Sequence, residues 1–205
     1  MQSTVRNFPT AIAITGGIGS GKSVVSKIIK SYGHPVYDAD YQAKFLMENS
    51  TDLKKQLINE FGNNIFVHGK LDKELLSTQI FNSQDNLCRI NKIVHIAVFE
   101  DFGIWAKAQS SDLVFMESAI VFENNLQEHF DCIVAVVVQQ KIRIERVMQR
   151  SDMTKAQILQ RMKNQFTTKQ LAQLSDFIII NNGKKALLPQ IESFFKKLKK
   201  KWGCC

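Results

Sequence analysis

Eight residues near the amino end, Gly16-Gly17-Ile18-Gly19-Ser20-Gly21-Lys22-Ser23, satisfy the spacing G-x-x-x-x-G-K-[ST]. Residues of these types at this spacing build a cradle for phosphate. The glycines permit backbone conformations closed to other residues, and successive N–H groups can turn inward on phosphate oxygens. A helix opening near Gly21, with Val24 in its first turn, adds unpaired N–H groups and the positive end of its dipole. Lys22 can reach the β- and γ-phosphates of a nucleotide, and the Ser23 hydroxyl can ligate Mg²⁺. The competing reading is a glycine-rich turn with a chance Lys-Ser. Correct spacing of Gly16, Gly17, Gly19 and Gly21, with a β-rich run before and an amphipathic helix after, disfavours it.

Further along the chain stand residues suited to the other half of a phosphoryl transfer. Asp38-Ala39-Asp40 ends a short β-rich run, where a carboxylate can take a proton from an attacking hydroxyl or help organise the metal. One of the two can equally cap the following helix. Glu117 closes another β-rich run and can hold a metal-bound water, or be a solvated loop residue; Glu123 carries the same two readings. Arg143, Arg146 and Arg150 recur at i, i+3 and i+7, on one face of a predicted helix, with Arg161 and Lys163 beyond. Converging guanidiniums can offset charge on a transferring phosphoryl group, and closure of such a lid excludes water. His95, one turn after Asn91, is a further candidate whose ordinary role would be structural.

Strand and helix alternate along the chain, which predicts a mostly parallel sheet with right-handed crossovers. The strands expected are Thr10–Thr15, Val36–Tyr37, Leu113–Met116, Ile133–Val138 and Phe177–Ile180. Val25, Ile28, Ile29 and Tyr32 make an amphipathic stripe after the first. Between the second and third strands lie three helical stripes. They are Leu53, Leu57, Ile58 and Phe61; Leu75, Leu76, Ile80 and Phe81; and a long one from Leu87 to Trp105. Residues 141–170 are helical in propensity and rich in Arg, Lys and Gln, with a break and helix cap at Asp152-Met153-Thr154. Leu187–Trp202 is the terminal amphipathic helix. This arrangement assigns 10–40, 112–140 and 175–205 to a nucleotide-binding core, 41–111 to a helical insertion and 141–172 to a basic lid. Both insertions would flank the carboxyl edge of the sheet, where α/β folds hold ligands.

The formal charge of +8 has the look of a nucleic-acid signal until it is located. Lys196, Lys197, Lys199, Lys200 and Lys201 supply five of those charges, and the rest of the chain carries only +3. Lysines in the last turns of a helix complement its negative end, so the sequence predicts no nucleic-acid partner. The longest apolar run, Cys132–Val138, is too short to span a bilayer and reads as a strand buried on both faces. Met1–Pro9 lacks an apolar h-region, which leaves the cytoplasm as the expected location. Cys88 and Cys132 stand alone, and Cys204-Cys205 has neither zinc nor disulfide spacing.

A guanine-reading Asn-Lys-x-Asp is missing: the one Asn-Lys pair, Asn91-Lys92, continues as Ile93-Val94 inside a helix. A switch GTPase therefore recedes, and a compact small-molecule kinase fits better than a motor or transport ATPase. A different P-loop kinase, for a nucleoside, nucleotide or sugar, and a non-catalytic nucleotide-binding module remain as alternatives.

Over nearly its whole length the chain resembles the dephospho-CoA kinases. The resemblance rests on Thr15–Ser23, Asp38-Ala39-Asp40, Val94-His95, Ile120–Asn124, Arg146–Asp152, Gln165-Phe166-Thr167 and Asn181-Asn182-Gly183. It implies a P-loop fold with a five-stranded parallel sheet, a helical acceptor-binding region and a lid. It also implies Mg²⁺-assisted transfer of phosphate from ATP to the ribose 3′-hydroxyl of dephospho-CoA. The implied base is Asp40, with Asp38, His95 and Glu123 toward the acceptor. Arg146, Arg150 and Asn182 are implied on the ATP side. Two prolines common in the family are replaced by Ile96 and Ala119, and an aspartate by Glu117, which changes turn rigidity and moves a carboxylate by one methylene.

Overall fold

A computed structural model describes residues 9–67, 70–72, 75, 76, 78 and 83–202. Ile80 and Phe81 of the second helical stripe, nearly all of the Met1–Pro9 segment and Cys204-Cys205 lie outside the described residues. The chain divides into two compact units, one formed by Met1–Asp38 with Ala106–Cys205 and the other by Ala39–Trp105.

In the first unit, β1 (Thr10–Thr15), β2 (Val36–Asp38), β5 (Leu113–Glu117), β6 (Cys132–Val137) and β7 (Phe177–Ile180) form one sheet. Their order is β2-β5-β1-β6-β7, and every pairing is parallel. β1 is central because its residues satisfy both faces at once. Ile12 and Ile14 point to one side and Ala13 and Thr15 to the other, and all four are buried. On the Ile12 side lie α1 (Lys22–Ser31) through Val25 and Ile29, and α8 (Leu187–Trp202) through Ile191, Phe194 and Leu198. The opposite face of β6 carries α7 (Thr168–Leu174), whose Leu171 is buried.

The basic region, expected to break once at Asp152-Met153-Thr154, breaks there and a second time, giving three helices. They are α5 (Gln140–Arg150), α6 (Lys155–Lys163) and the short α7. Each break carries its own start signal. Thr154 accepts from the Gln157 N–H at 3.3 Å while Gln157 returns to the Thr154 N–H at 2.8 Å. Thr167 and Gln170 repeat that reciprocal box. All three helices belong to the same compact unit as the sheet.

β7 is an edge strand, and its backbone does not end unpaired. The Gln190 amide accepts from the Ile180 N–H at 2.8 Å and donates to the Ile180 carbonyl at 3.0 Å.

The second unit is helical, with α2 (Ala39–Asn49), α3 (Thr51–Phe61) and most of α4 (Gln84–Lys107). Ser50 caps α3 by accepting the Leu53 N–H at 3.2 Å. Arg89 on α4 bonds Glu60 of α3 at 2.8 Å and Asp85 of its own helix at 2.7 Å. Leu53, Leu57 and Ile65 are buried inside this unit. A small antiparallel ribbon, β3 (Phe66–Val67) with β4 (Lys70–Leu71), stands where the sequence reads as helical. Strands of two residues are too short to show alternation, so no period reveals them.

Two consequences of this packing can be measured. Phe194 is fully buried between helix and sheet, so Phe194→Ala should cost about 3–5 kcal/mol in urea unfolding. His34 lies 5.8 Å from the Phe115 ring and 5.0 Å from Phe195, and burial lowers its pKa. A histidine held neutral contributes stability that is complete above its unfolded pKa of about 6.5 and is lost as the pH falls below it. Tm should therefore drop on acidification below that point. His34→Phe should remove part of the drop, leaving the share of His95, whose pKa burial also lowers.

Candidate active site

β1 delivers the chain into the phosphate loop, and α1 takes it away. Gly21 is the N-cap of α1 at φ 91°, no side chain caps that terminus, and its first turn holds no acid. The helix thus offers its N–H groups and positive dipole end to an anion. Gly19 sits at φ 77°, and a Cβ there would stand 2.5 Å from the Arg143 carbonyl oxygen. Only glycine fits. Lys22 donates to the Gly16 carbonyl at 2.9 Å, which holds the ammonium over the loop. Ser23 and Val24 are exposed at the helix start, and Ser20 is buried with its hydroxyl lacking a protein partner among the described residues.

The loop's outward-facing polar groups are tied down by residues remote in sequence. The Ile18 N–H donates to Gln165 Oε1 at 2.9 Å, and the Ile18 carbonyl accepts from Arg143 Nε at 2.8 Å. The Ser20 carbonyl accepts from Asn181 Nδ2 at 2.9 Å and from Arg146 Nη1 at 3.4 Å. Asn181 follows directly on β7, and its own N–H donates to the Val137 carbonyl, which sets it beside the cradle. A Cβ on Gly21 would overlap the Asn181 amide.

Beside this lies Glu123. Its Oε1 accepts from the Phe166 N–H at 2.7 Å, and its Oε2 is buried without a partner among the described residues. Burial raises its pKa, opposed by backbone N–H groups and by the positive charge of Lys22. Phe166 follows Gln165, so one dipeptide touches both the loop and this acid.

The sequence-derived candidates distribute as follows. Asp38 and Glu117 face each other in register at the ends of β2 and β5, and Glu117 is also in register with Ile14 of β1. Asp40 is exposed in the first turn of α2. Within the second unit its carboxylate pulls the pKa of His95 up, against the larger lowering by burial. Arg143, Arg146 and Arg150 do not act as one face. Arg143 is buried against the loop, Arg146 is half-buried on the Ser20 carbonyl, and Arg150 is exposed at the end of α5. Gly17, Gly19, Ser20, Gly21, Lys22 and Ser23 all stand in the cradle. Asn182 accepts from the N–H groups of Lys184 and Lys185, both at 3.0 Å, and so shapes its own turn, while Asn181 reaches the loop. Sequence reasoning assigned no role to Asn181 or Gln165. Both stand in segments that carry the family resemblance, but nothing in their residue type or spacing pointed to a contact with the loop.

The sequence profile of dephospho-CoA kinases matches residues 10–186. A dephospho-CoA kinase from Bacteroides fragilis is 39% identical over 181 residues, covering 88% of this chain and 88% of its own. One from Porphyromonas gingivalis is 37% identical over 191 residues, covering 93% and 95%. Among solved structures, the crystal structure of TT1252 from Thermus thermophilus superposes with a TM-score of 0.78 at 28% identity, covering 95% of this chain and 98% of that one.

Asn181 yields a direct test of how the loop is held. Asn181→Ala removes the shorter of the two bonds to the Ser20 carbonyl and should cost about 1–2 kcal/mol in urea unfolding. ATP affinity, read by titration calorimetry, should fall as well. Asn181→Asp should lower it further, because it sets a carboxylate against a carbonyl beside the phosphate site.

Proposed function

The chain belongs to the dephospho-CoA kinase family, and from that membership we propose that its cradle holds ATP and passes the γ-phosphoryl group to the ribose 3′-hydroxyl of dephospho-CoA. Coenzyme A and ADP are the products. The observation that carries this reading is the family match across residues 10–186, which takes in the cradle, the Asp-Ala-Asp segment and the arginines of α5.

The assignment of roles follows from chemistry. The cradle's N–H groups and the α1 terminus hold the β- and γ-phosphates. Lys22 exchanges the Gly16 carbonyl for phosphate oxygens, which its flexible stem allows. Arg146 stands on the ATP side, and Arg150 joins it as the lid closes. Asp40 accepts the proton of the 3′-hydroxyl as that oxygen bonds to the γ-phosphorus. The bond from the γ-phosphorus to the bridging oxygen then breaks, and ADP carries away the electron pair. His95 lies within electrostatic reach of Asp40 and orients the acceptor beside it. Asp38 and Glu123 are further candidates on the acceptor side, and Asn182 on the ATP side.

Mg²⁺ suits the donors present. It takes oxygen ligands and completes its shell with water and phosphate instead of an all-protein cage. Among the described residues no three His, Cys, Asp or Glu side chains gather as such a cage, while Ser23 and Glu117 offer a hydroxyl and a carboxylate. These two would hold the ion. When bound, it neutralises charge on the β- and γ-phosphates.

The test is coupled ADP release with ATP and Mg²⁺, with and without dephospho-CoA, using nucleosides and sugars as alternative acceptors. Release that requires dephospho-CoA, with coenzyme A as product, is expected; intact ATP binding with no stimulation would transfer the assignment to another acceptor. Asp40→Asn should bind ATP as wild type does while kcat falls by about 10²–10⁴. Near-normal turnover would remove Asp40 from the base role.

A further inference from the structure

Arg143 is a buried cation with no counter-ion among the described residues. Its side chain is only 6% exposed, and no carboxylate among the described residues pairs with it. The groups it bonds are neutral: Nε donates to the Ile18 carbonyl at 2.8 Å, and Nη2 donates to Gln165 Oε1 at 3.4 Å. The guanidinium lies flat against the loop, where a Cβ on Gly17 would overlap it. Burial lowers its pKa, yet a guanidinium stays charged at any working pH. Removing an ion from water costs several kcal/mol unless an opposite charge compensates. Carbonyl dipoles compensate only in part.

The same contacts fix the loop's geometry. Gln165 Oε1 takes the Ile18 N–H as well as the Arg143 bond, so both polar groups of Ile18 are held from outside the cradle. Arg143 also contributes its backbone, since its carbonyl lies against Gly19. The guanidinium packs directly on the glycine backbone of the loop at Gly17, so an anion held by the loop's N–H groups would lie within reach of its charge.

We propose that Arg143 is a positioning residue for the nucleotide: it clamps Ile18 so that the loop's remaining N–H groups face the phosphates, and its buried charge is compensated when the triphosphate arrives. This rests on the ATP-dependent reaction proposed above. It makes Arg143 work in two directions, as a burden on the empty protein and a gain for the loaded one. A purely structural arginine would stabilise both forms alike.

The full chain carrying Arg143→Gln, which keeps a donor for Ile18 but no charge, separates the two. Thermal unfolding is followed without ligand and with saturating ATP and Mg²⁺, alongside the Kd for ATP and steady-state kinetics with dephospho-CoA. Arg143→Gln is expected to have a ligand-free Tm equal to or above wild type and a smaller ATP-induced rise. The Kd and KM for ATP should increase about tenfold, against less than about twofold for the acceptor KM. A lower ligand-free Tm with an unchanged ATP-induced rise would overturn the proposal, as would an ATP Kd within twofold of wild type. If Arg143→Gln fails to fold, Arg143→Lys decides. That variant keeps the charge and loses the planar fork, so its ATP Kd should stay within about threefold of wild type, and a loss of tenfold or more would sink the charge role. Wild-type protein that binds ATP but phosphorylates no dephospho-CoA would refute the acceptor assignment while leaving the binding comparison on Arg143 intact.

Discussion

A phosphate-binding loop depends on amide N–H groups that stay unbonded within the protein, because each one satisfied internally is lost to the ligand. Unbonded amides on glycine-rich backbone would collapse or wander, since glycine gives up more conformational freedom on folding than any other residue. This protein meets the conflict by fastening the outward groups of the loop. The Ile18 N–H and carbonyl, the Ser20 carbonyl and the Gly16 carbonyl all have partners, supplied by Gln165, Arg143, Asn181, Arg146 and Lys22. What is left over is what an anion meets.

That solution fixes where other parts of the fold must be. Asn181 must follow β7, so β7 must pair with β6, which pairs with β1. Arg143 and Arg146 must sit in the first two turns of α5, which follows β6. Gln165 must occupy the link between α6 and α7, and its neighbour Phe166 is anchored on Glu123. The central place of β1 thus has a chemical counterpart: the strand feeding the loop is flanked by strands whose ends supply the residues that brace it.

Much of this could be read in the residues, but only where a period or a spacing recorded it. Phe177–Ile180 and Leu187–Trp202 were legible to the residue, because an apolar run and a helical stripe each end at a strong turn signal. The cradle was legible because its spacing is itself the signal. The division of residues 141–170 was half legible. Thr154 stands after an evident break, whereas Thr167 opens a second capping box inside a stretch of uniform helical propensity. Helical spacing put Arg143, Arg146 and Arg150 together, yet burial separates them, because α5 turns Arg143 and Val147 inward as a pair one turn apart. Asn181 and Asn182 are identical in type and adjacent, and only the register of β7 decides which one meets the loop.

The Gln190 amide at the margin of β7 has a bearing on how the molecule behaves in a crowded solution. A primary amide carries the same donor and acceptor as a peptide unit, and here both are spent on Ile180, as a neighbouring strand would spend them. The helix thereby supplies a counterfeit strand one residue long. Ile180 is closed to a further strand at one margin, and at the other the edge strand, β2, is only three residues long.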